Sequence, residues 1–397
     1  MNHKEIPPYL IPYQGKHLLI KMSGELIDIQ SKEFLEFIAC LREMALHRIW
    51  VILVVGWGNQ ISQRWKEITA TPRPKWKNGE NFTSKKLLDT SVIPVSEEIS
   101  SILSEIIPES EIVIAEKIHC EKVETLWYVW HPTLIHHAFP LHKVSIVSFV
   151  GVDKNNASVK FNVNADDIAL CIGKVFGSHI WWTFFLTGTW WVLDTQGNVV
   201  SFLPSSKLNA ILDGSHPYIE ADGGMKKKLS VACEFLKIRP SLVITNIEHF
   251  SQEVTNITWS GTYIANEEKI SISHAVDKDF FYWIYQSKVA SGKWKERDEK
   301  AIDAVFQSHK MITIEWMPLW WLSLNHTNIL WVDGYLIEAL WTAEEGCWLW
   351  RITLKKLTLW FSPLFAFSHE KDFFYKAGFT LIAWEYSESW ACLFVKK

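Results

Sequence analysis

Residues 17–26, HLLIKMSGEL, and residues 50–62, WVILVVGWGNQIS, decide the fold. Each is an apolar run that ends in a glycine-bearing turn. Between them Phe34, Ile38, Leu41 and Ala45 keep the i, i+4, i+7, i+11 spacing of a buried helix face. Strand, helix and strand in one unit predict a parallel sheet with crossover helices. A glycine turn after a buried strand exposes backbone N–H groups at a helix N-terminus, where phosphate is stabilised. Lys21 stands at the end of the first strand, aimed at the same crevice. Taken alone, the two turns read better as ordinary strand-to-helix connections.

Further along, Ile168, Cys171, Ile172, Val175 and Phe176 make a second helical stripe, and Leu229, Ala232, Cys233 and Leu236 a third. A strand is expected around Phe184–Thr187 between them. Residues 71–90 are polar and carry Pro and Gly, which predicts a surface loop leading into a helix, with Thr83 or Ser84 as N-cap. The His-rich segment 130–160 reads as strands and loops. From about Ile270 the pattern changes to an α+β mixture. ISISHAV, MITIEW, PLWWLSL and GYLIEALW read as short strands, and 280–289 and 296–306 as helices. Residues 349–359 and the segment HEKDFFYKAGF, closed by Gly378, read as further helices. PLFAF, LIAWEY and ACLFV read as strands. A boundary near 268 gives domains 1–268 and 269–397.

The bulk numbers narrow the class. A chain of 397 residues sets a prior of two to three domains, and 48% hydrophobic content is enough for real cores. The net charge of −4 gives no basic surplus for nucleic acid. No apolar run reaches membrane-spanning length, and the opening MNHKEIPPYL has no signal-peptide core. Six cysteines lie scattered without a C-x-x-C, which indicates neither a disulfide framework nor a zinc site. His136, His137 and His142 have no carboxylate or thiol at ligand spacing, so no metal site is assigned. A cytoplasmic protein is expected.

Two more segments carry chemistry. In FNVNADDIAL, Asn162, Asn164, Asp166 and Asp167 crowd a helix start with more side chains than capping requires. In ADGGMKKKLSVA, Lys226, Lys227 and Lys228 open a helix. The helix dipole disfavours cations there, so the run invites an anionic ligand.

Together KMSGEL, VVGWGNQI, VGVDKNNASVKFNVNADDIA, LTGTWWVLDTQGNVVS and GGMKKK resemble, in order and spacing, the amino-acid kinase family over about residues 12–268. The likeness is closest to acetylglutamate kinases. The resemblance implies a three-layer α/β/α fold that transfers the γ-phosphoryl group of ATP, with Mg²⁺, to a carboxylate. It implies that Lys21 and Lys228 neutralise the moving phosphoryl and that Asp166 orients the lysines. Asn162 would hold the acyl-amino-acid carboxylate. Gly24, Gly56, Trp57 and Gly58 form the loops that offer backbone donors, and Thr187 and Asp194 belong to the nucleotide segment. Such catalysis works by positioning and electrostatics. One departure stands out: Asn81 occupies the place where the family has an Arg, and an amide cannot grip a carboxylate as a guanidinium does. Arg73, Lys75 and Lys77 are the nearby cations that remain.

The segment EEGCWLWRITLKKL after the strand GYLIEAL, with DFFYKAGF downstream, resembles the GNAT acetyltransferases over about 270–397. This implies a pyrophosphate loop at Gly346, Cys347, Trp348, Leu349, Trp350 and Arg351 that binds acetyl-CoA. Tyr375 would be the general acid toward the leaving thiolate, and Glu338 a base or a polar residue at a sheet splay. A kinase-like domain followed by a GNAT domain resembles the arrangement of N-acetylglutamate synthases. The resemblance implies a transferase of arginine biosynthesis acting on glutamate and N-acetylglutamate. Arginine is a candidate inhibitor, a homo-oligomer is expected, and no nucleic-acid or membrane partner is expected; the sequence itself fixes neither arginine sensitivity nor oligomeric state. Three alternatives stay open: a synthase whose first domain is an arginine sensor, a kinase with a degenerate GNAT half, and a binding scaffold with both sites dead.

One count is abnormal. The chain has 23 tryptophans and only 18 glycines, whereas glycine is ordinarily about 7% of residues. Trp57 stands between Gly56 and Gly58, Trp190 and Trp191 fill the turn before Val192, and Trp348 and Trp350 take both glycine places of the CoA loop. Trp259 precedes Ser260–Gly261. These are places where backbone approaches a ligand or where φ > 0 is expected, both glycine tasks. A single cause covers them: most of these tryptophans are glycine in the living cell, encoded by UGA codons read as glycine.

Overall fold

The computed structural model describes residues 7–74, 82–113, 118–122, 129–135, 144–188, 191–221, 223–255, 261–273, 278–290, 296–314, 317–329, 332–342, 364–368, 380–383 and 392–396. The chain divides into two compact units. The first runs to Thr255 and takes in Ser260–Ala265, and the second continues from Asn266.

The first unit opens with β1 (His17–Ser23), α1 (Lys32–Leu46), β2 (Trp50–Gly56) and α2 (Gly58–Thr69). A short turn α3 (Lys85–Leu87) leads into α4 (Ile93–Ile106) and β3 (Ser110–Val113). Then come β4 (Ile118–Lys122), β5 (Val129–Ile135), β6 (Val144–Val147), β7 (Val150–Asp153), β8 (Asn156–Val163) and α5 (Ala165–Phe176). The unit closes with β9 (Ile180–Leu186), β10 (Phe202–Pro204), α6 (Ser205–Leu212), α7 (Gly223–Phe235), β11 (Ser241–Thr245), α8 (Phe250–Thr255) and β12 (Thr262–Ala265).

Eight strands form one sheet in the order β10-β12-β11-β9-β1-β2-β6-β3, and β4, β5, β8 and β7 close a small second one. In the large sheet only β11–β12 is antiparallel. Leu18, Leu19, Ile20 and Met22 on β1 are fully buried, as are Leu53 and Val54 on β2. Unbroken apolar runs of this kind mark strands covered on both faces. Behind the sheet Phe250 meets Phe37 and Phe184 edge-to-face at 5.0 and 5.1 Å. Ser31 caps α1 by accepting the Phe34 N–H, and Ser84 caps α3 by accepting the Leu87 N–H. Ser84, rather than Thr83, is thus the cap of that turn.

The second unit holds β13 (Ile270–Ser273), α9 (Lys278–Ala290), α10 (Glu299–Ser308), β14 (His309–Ile314), β15 (Met317–Ile329), β16 (Val332–Thr342), β17 (Leu364–Ser368), β18 (Thr380–Ala383) and β19 (Cys392–Lys396). Its seven-stranded sheet has the order β13-β14-β15-β16-β17-β19-β18. The strand expected at PLWWLSL runs on through NHTNI, because those polar residues pair with β16 down to Ile329–Val332 in a hairpin. Cross-strand pairing outweighs the missing apolar pattern. The helices expected at 349–359 and 369–379 lie outside the described residues. Among the described residues, no helix is long and apolar enough to cross a membrane.

Phe184 is fully buried on the central strand β9. Phe184→Ala is expected to cost about 3–5 kcal/mol, read as an earlier urea-unfolding midpoint of the first unit.

Candidate active site

The site is built where the parallel strands β2, β1, β9 and β11 end. The registers Ser23–Gly56 and Met22–Leu186 bring three turns to one edge of the sheet: Gly24 after β1, Trp57–Gly58 after β2, and Thr187–Gly188 after β9. In open α/β sheets this C-terminal edge is where ligands sit. Lys21 lies two residues before the end of β1 and is 5% exposed. Its Nζ stands 2.8 Å from Asp166 Oδ1.

Asp166 is set in place by α5. Asn164 is the N-cap and accepts the Asp166 N–H at 2.8 Å, so the first turn carries Asp166 inward and Asp167 outward. Asp167 takes Lys227 at 3.2 Å. Lys228, on the inner side of α7, is buried. Its ammonium is held below the usual lysine range, first by burial and then by Lys21; Asp166 and Glu25 oppose this. Two buried lysines and the buried Asp166 carboxylate therefore act on one another, with the exposed Glu25 carboxylate at their edge. Such a cluster suits a polyanion.

Gly24 meets its expected need. A Cβ there would lie 2.1 Å from the Gly56 carbonyl oxygen, so only glycine lets these turns approach. Trp57 is the N-cap residue of α2, with φ −135°, and is 5% exposed. Its ring packs on Phe149 at 6.3 Å and lies against Gly24. The expectation of left-handed backbone fails here: among the described residues the non-glycine residues with positive φ are Arg48 and Ala70. The objection to Trp57 is one of space, since its indole fills the turn between β2 and α2. Trp191 stands at the turn before Val192, its ring 5.7 Å from that of His249.

Asn162 lies on β8 and donates its side-chain N–H to Thr83 Oγ1 at 3.2 Å. Thr187 is buried, and its backbone N–H donates to the Thr245 carbonyl at 3.0 Å. Asp194 sits in its own turn. Its carboxylate accepts the backbone N–H of Gln196 and Asn198 and the Asn198 amide, which holds it below the usual carboxylate range. Those bonds hold Asp194 in the Asp194–Asn198 turn. Asn81, Trp190, Gly346, Cys347, Trp348, Leu349, Trp350, Arg351 and Tyr375 lie outside the described residues. Glu338 is on β16. The ladder to β15 pairs Ala339 with Ser323 and Ile337 with Leu324, skipping Glu338 as a bulge. The pairing of β16 with β17 ends at Ile337–Ala366, although both strands continue. Glu338 thus marks a place where the sheet opens.

Sequence reasoning missed Glu25. Its carboxylate accepts the Gly188 N–H at 3.1 Å and the Asn59 amide at 3.4 Å, tying the β1, β9 and α2 turns together. The partners lie up to 163 positions away, so only its place right after Gly24 could have pointed to it.

No family model matches the sequence, and no curated protein does. Among solved structures the chain is similar to N-acetylglutamate synthase from Neisseria gonorrhoeae complexed with coenzyme A and L-arginine. The TM-score is 0.62 at 14% identity, over 99% of this chain and 97% of that one. A second structure of that enzyme, complexed with coenzyme A and N-acetyl-glutamate, matches with TM-score 0.59 at 15% identity, over 98% and 96%. The chain has the kinase-like plus GNAT fold.

Asp166→Asn would leave Lys21 as an uncompensated charge with 7% side-chain exposure. It is expected to cost about 3–5 kcal/mol in denaturant unfolding, and to lower Lys228 further, since the Asp166 carboxylate raises it.

Proposed function

We propose that the chain is a transferase of arginine biosynthesis with two centres. Residues 1–268 phosphorylate N-acetylglutamate with ATP, and residues 269–397 acetylate glutamate from acetyl-CoA. The observation that carries the first half is the buried Lys21–Asp166 pair with Lys228 beside it, at the edge where three turns converge. A carboxylate oxygen of the acceptor attacks the γ-phosphorus, the bond to the β–γ bridging oxygen breaks, and ADP leaves with the electron pair. Lys21 and Lys228 flank the charge that moves, Asp166 fixes Lys21, and the Gly24 and Gly58 turns approach the phosphates. Such charge placement is what phosphoryl transfer asks of a protein. No group of three His, Cys, Asp or Glu suited to a metal occurs among the described residues. Mg²⁺ is then expected to arrive on the phosphates of ATP, as it commonly does.

Lys228 acts only while protonated. Its lowered position means that the folded state binds fewer protons than the unfolded chain between that value and 10.5. Across that window folding stability rises with pH, while kinase turnover falls, at a lower pH than an ordinary lysine would give. In the second half, the opening of β16 from β17 at Glu338 supports an acetyl-CoA site. Tyr375 is the proposed acid and Glu338 the proposed base or water-holder.

A second reading makes the first unit an arginine-binding sensor. Asn81 favours it, as does the L-arginine in one similar structure. Two assays on the full chain separate the readings: glutamate with acetyl-CoA, and N-acetylglutamate with ATP, the acyl phosphate being trapped as a hydroxamate. Activity in both is expected. Activity in the first alone establishes the sensor, and in the second alone a degenerate GNAT half.

The tryptophans at glycine tasks are proposed to be glycine in the cell. Trp57→Gly is expected to strengthen ATP binding at least about tenfold by removing the indole from the loop, measured by calorimetry. UGG codons at positions 57, 348 and 350 would contradict the recoding.

A further inference from the structure

Arg73 has no task in the account so far. It follows α2 in the segment Thr71–Pro74 and is 8% exposed. Its Nε is buried with no hydrogen-bond partner. Among the described residues no carboxylate pairs with it; the acids near other cations belong to Lys21, Arg42, Arg64 and exposed lysines. Burial alone pushes the guanidinium down to about 10. A guanidinium out of water without an anion is costly, and a fold retains one where an anion completes it.

Its location names the side of the site. The Phe82 N–H donates to the Pro74 carbonyl at 3.1 Å, which lays Arg73–Pro74 beside Phe82–Thr83. Thr83 is fully buried and its hydroxyl accepts the Asn162 amide. Asn162 is the second-last residue of β8 and stands four residues before Asp166 in α5. Arg73 therefore belongs to the acceptor wall of the first unit. A planar guanidinium fork matches a carboxylate in bidentate fashion, which Asn81 cannot do.

We infer that Arg73 grips a carboxylate of the amino-acid ligand of the first unit and sets its specificity for acidic ligands. This rests on the reading of that unit as an N-acetylglutamate site. The test is calorimetric titration of N-acetylglutamate, glutamate and arginine into the full chain, its Arg73→Met and Arg73→Lys variants, each with and without Trp57→Gly. Arg73→Met is expected to weaken N-acetylglutamate binding by about 30-fold or more, with ATP affinity unchanged and ligand-free thermal stability unchanged or raised. Arg73→Lys is expected to recover part of the loss. If only arginine binds, and Arg73→Met abolishes that, the kinase reading fails and the inferred specificity for acidic ligands is overturned, leaving Arg73 only a grip on the ligand's α-carboxylate. Unchanged binding in Arg73→Met overturns the inference. So does a variant that melts well below the parent, which would make Arg73 structural. Failure of all three ligands to bind the unsubstituted chain overturns both.

Discussion

The ion pair between Lys21 and Asp166 is the constraint on which the first unit depends. Both groups are nearly out of water, at 7% and 11% side-chain exposure, so neither tolerates loss of the other. The pair ties the end of the central strand β1 to the first turn of α5. It fixes where the β1 turn lies relative to Lys228 on α7. Glu25 extends the same network toward Gly188 and Asn59. Two ammonium groups, the buried Asp166 carboxylate and the exposed Glu25 carboxylate thus gather at the edge of the sheet.

Much of this was legible in the sequence because it is local. The apolar runs HLLIKM and WVILVV could only be strands buried on both faces, and β1 and β2 are those strands. Asn162, Asn164, Asp166 and Asp167 were visible as more side chains than a cap requires, and the structure gives the cap to Asn164 and the ion pair with Lys21 to Asp166. Residues whose partners are distant were not legible. Glu25 acts through Gly188, and Arg73, visible in the sequence as a cation near Asn81, is set apart by having no carboxylate partner among the described residues, which no spacing rule can express. The length of β15 was hidden for a related reason, since its polar end is held by β16 rather than by a buried face.

The tryptophans mark where a sequence pattern and physical chemistry disagree. At position 57 the backbone is ordinary, with φ −135°, yet a large ring occupies a loop whose neighbours Gly24 and Gly56 almost touch. Strain is absent and space is the conflict. The same residue type stands at the expected CoA loop of the second unit, at 348 and 350. The proposed shared cause in two unrelated folds is one of coding rather than of packing.

The most direct measurement of the central claim separates binding from chemistry at Lys21. With enzyme in excess, single-turnover transfer from γ-labelled ATP to N-acetylglutamate is compared between the unsubstituted chain and Lys21→Ala, alongside ATP affinity. The account predicts a transfer rate lower by roughly two to four decades with a much smaller change in affinity, because the lysine acts on the charge that develops in transfer. Equal losses in affinity and rate, or no transfer by the unsubstituted chain with either residue at position 57, would contradict it.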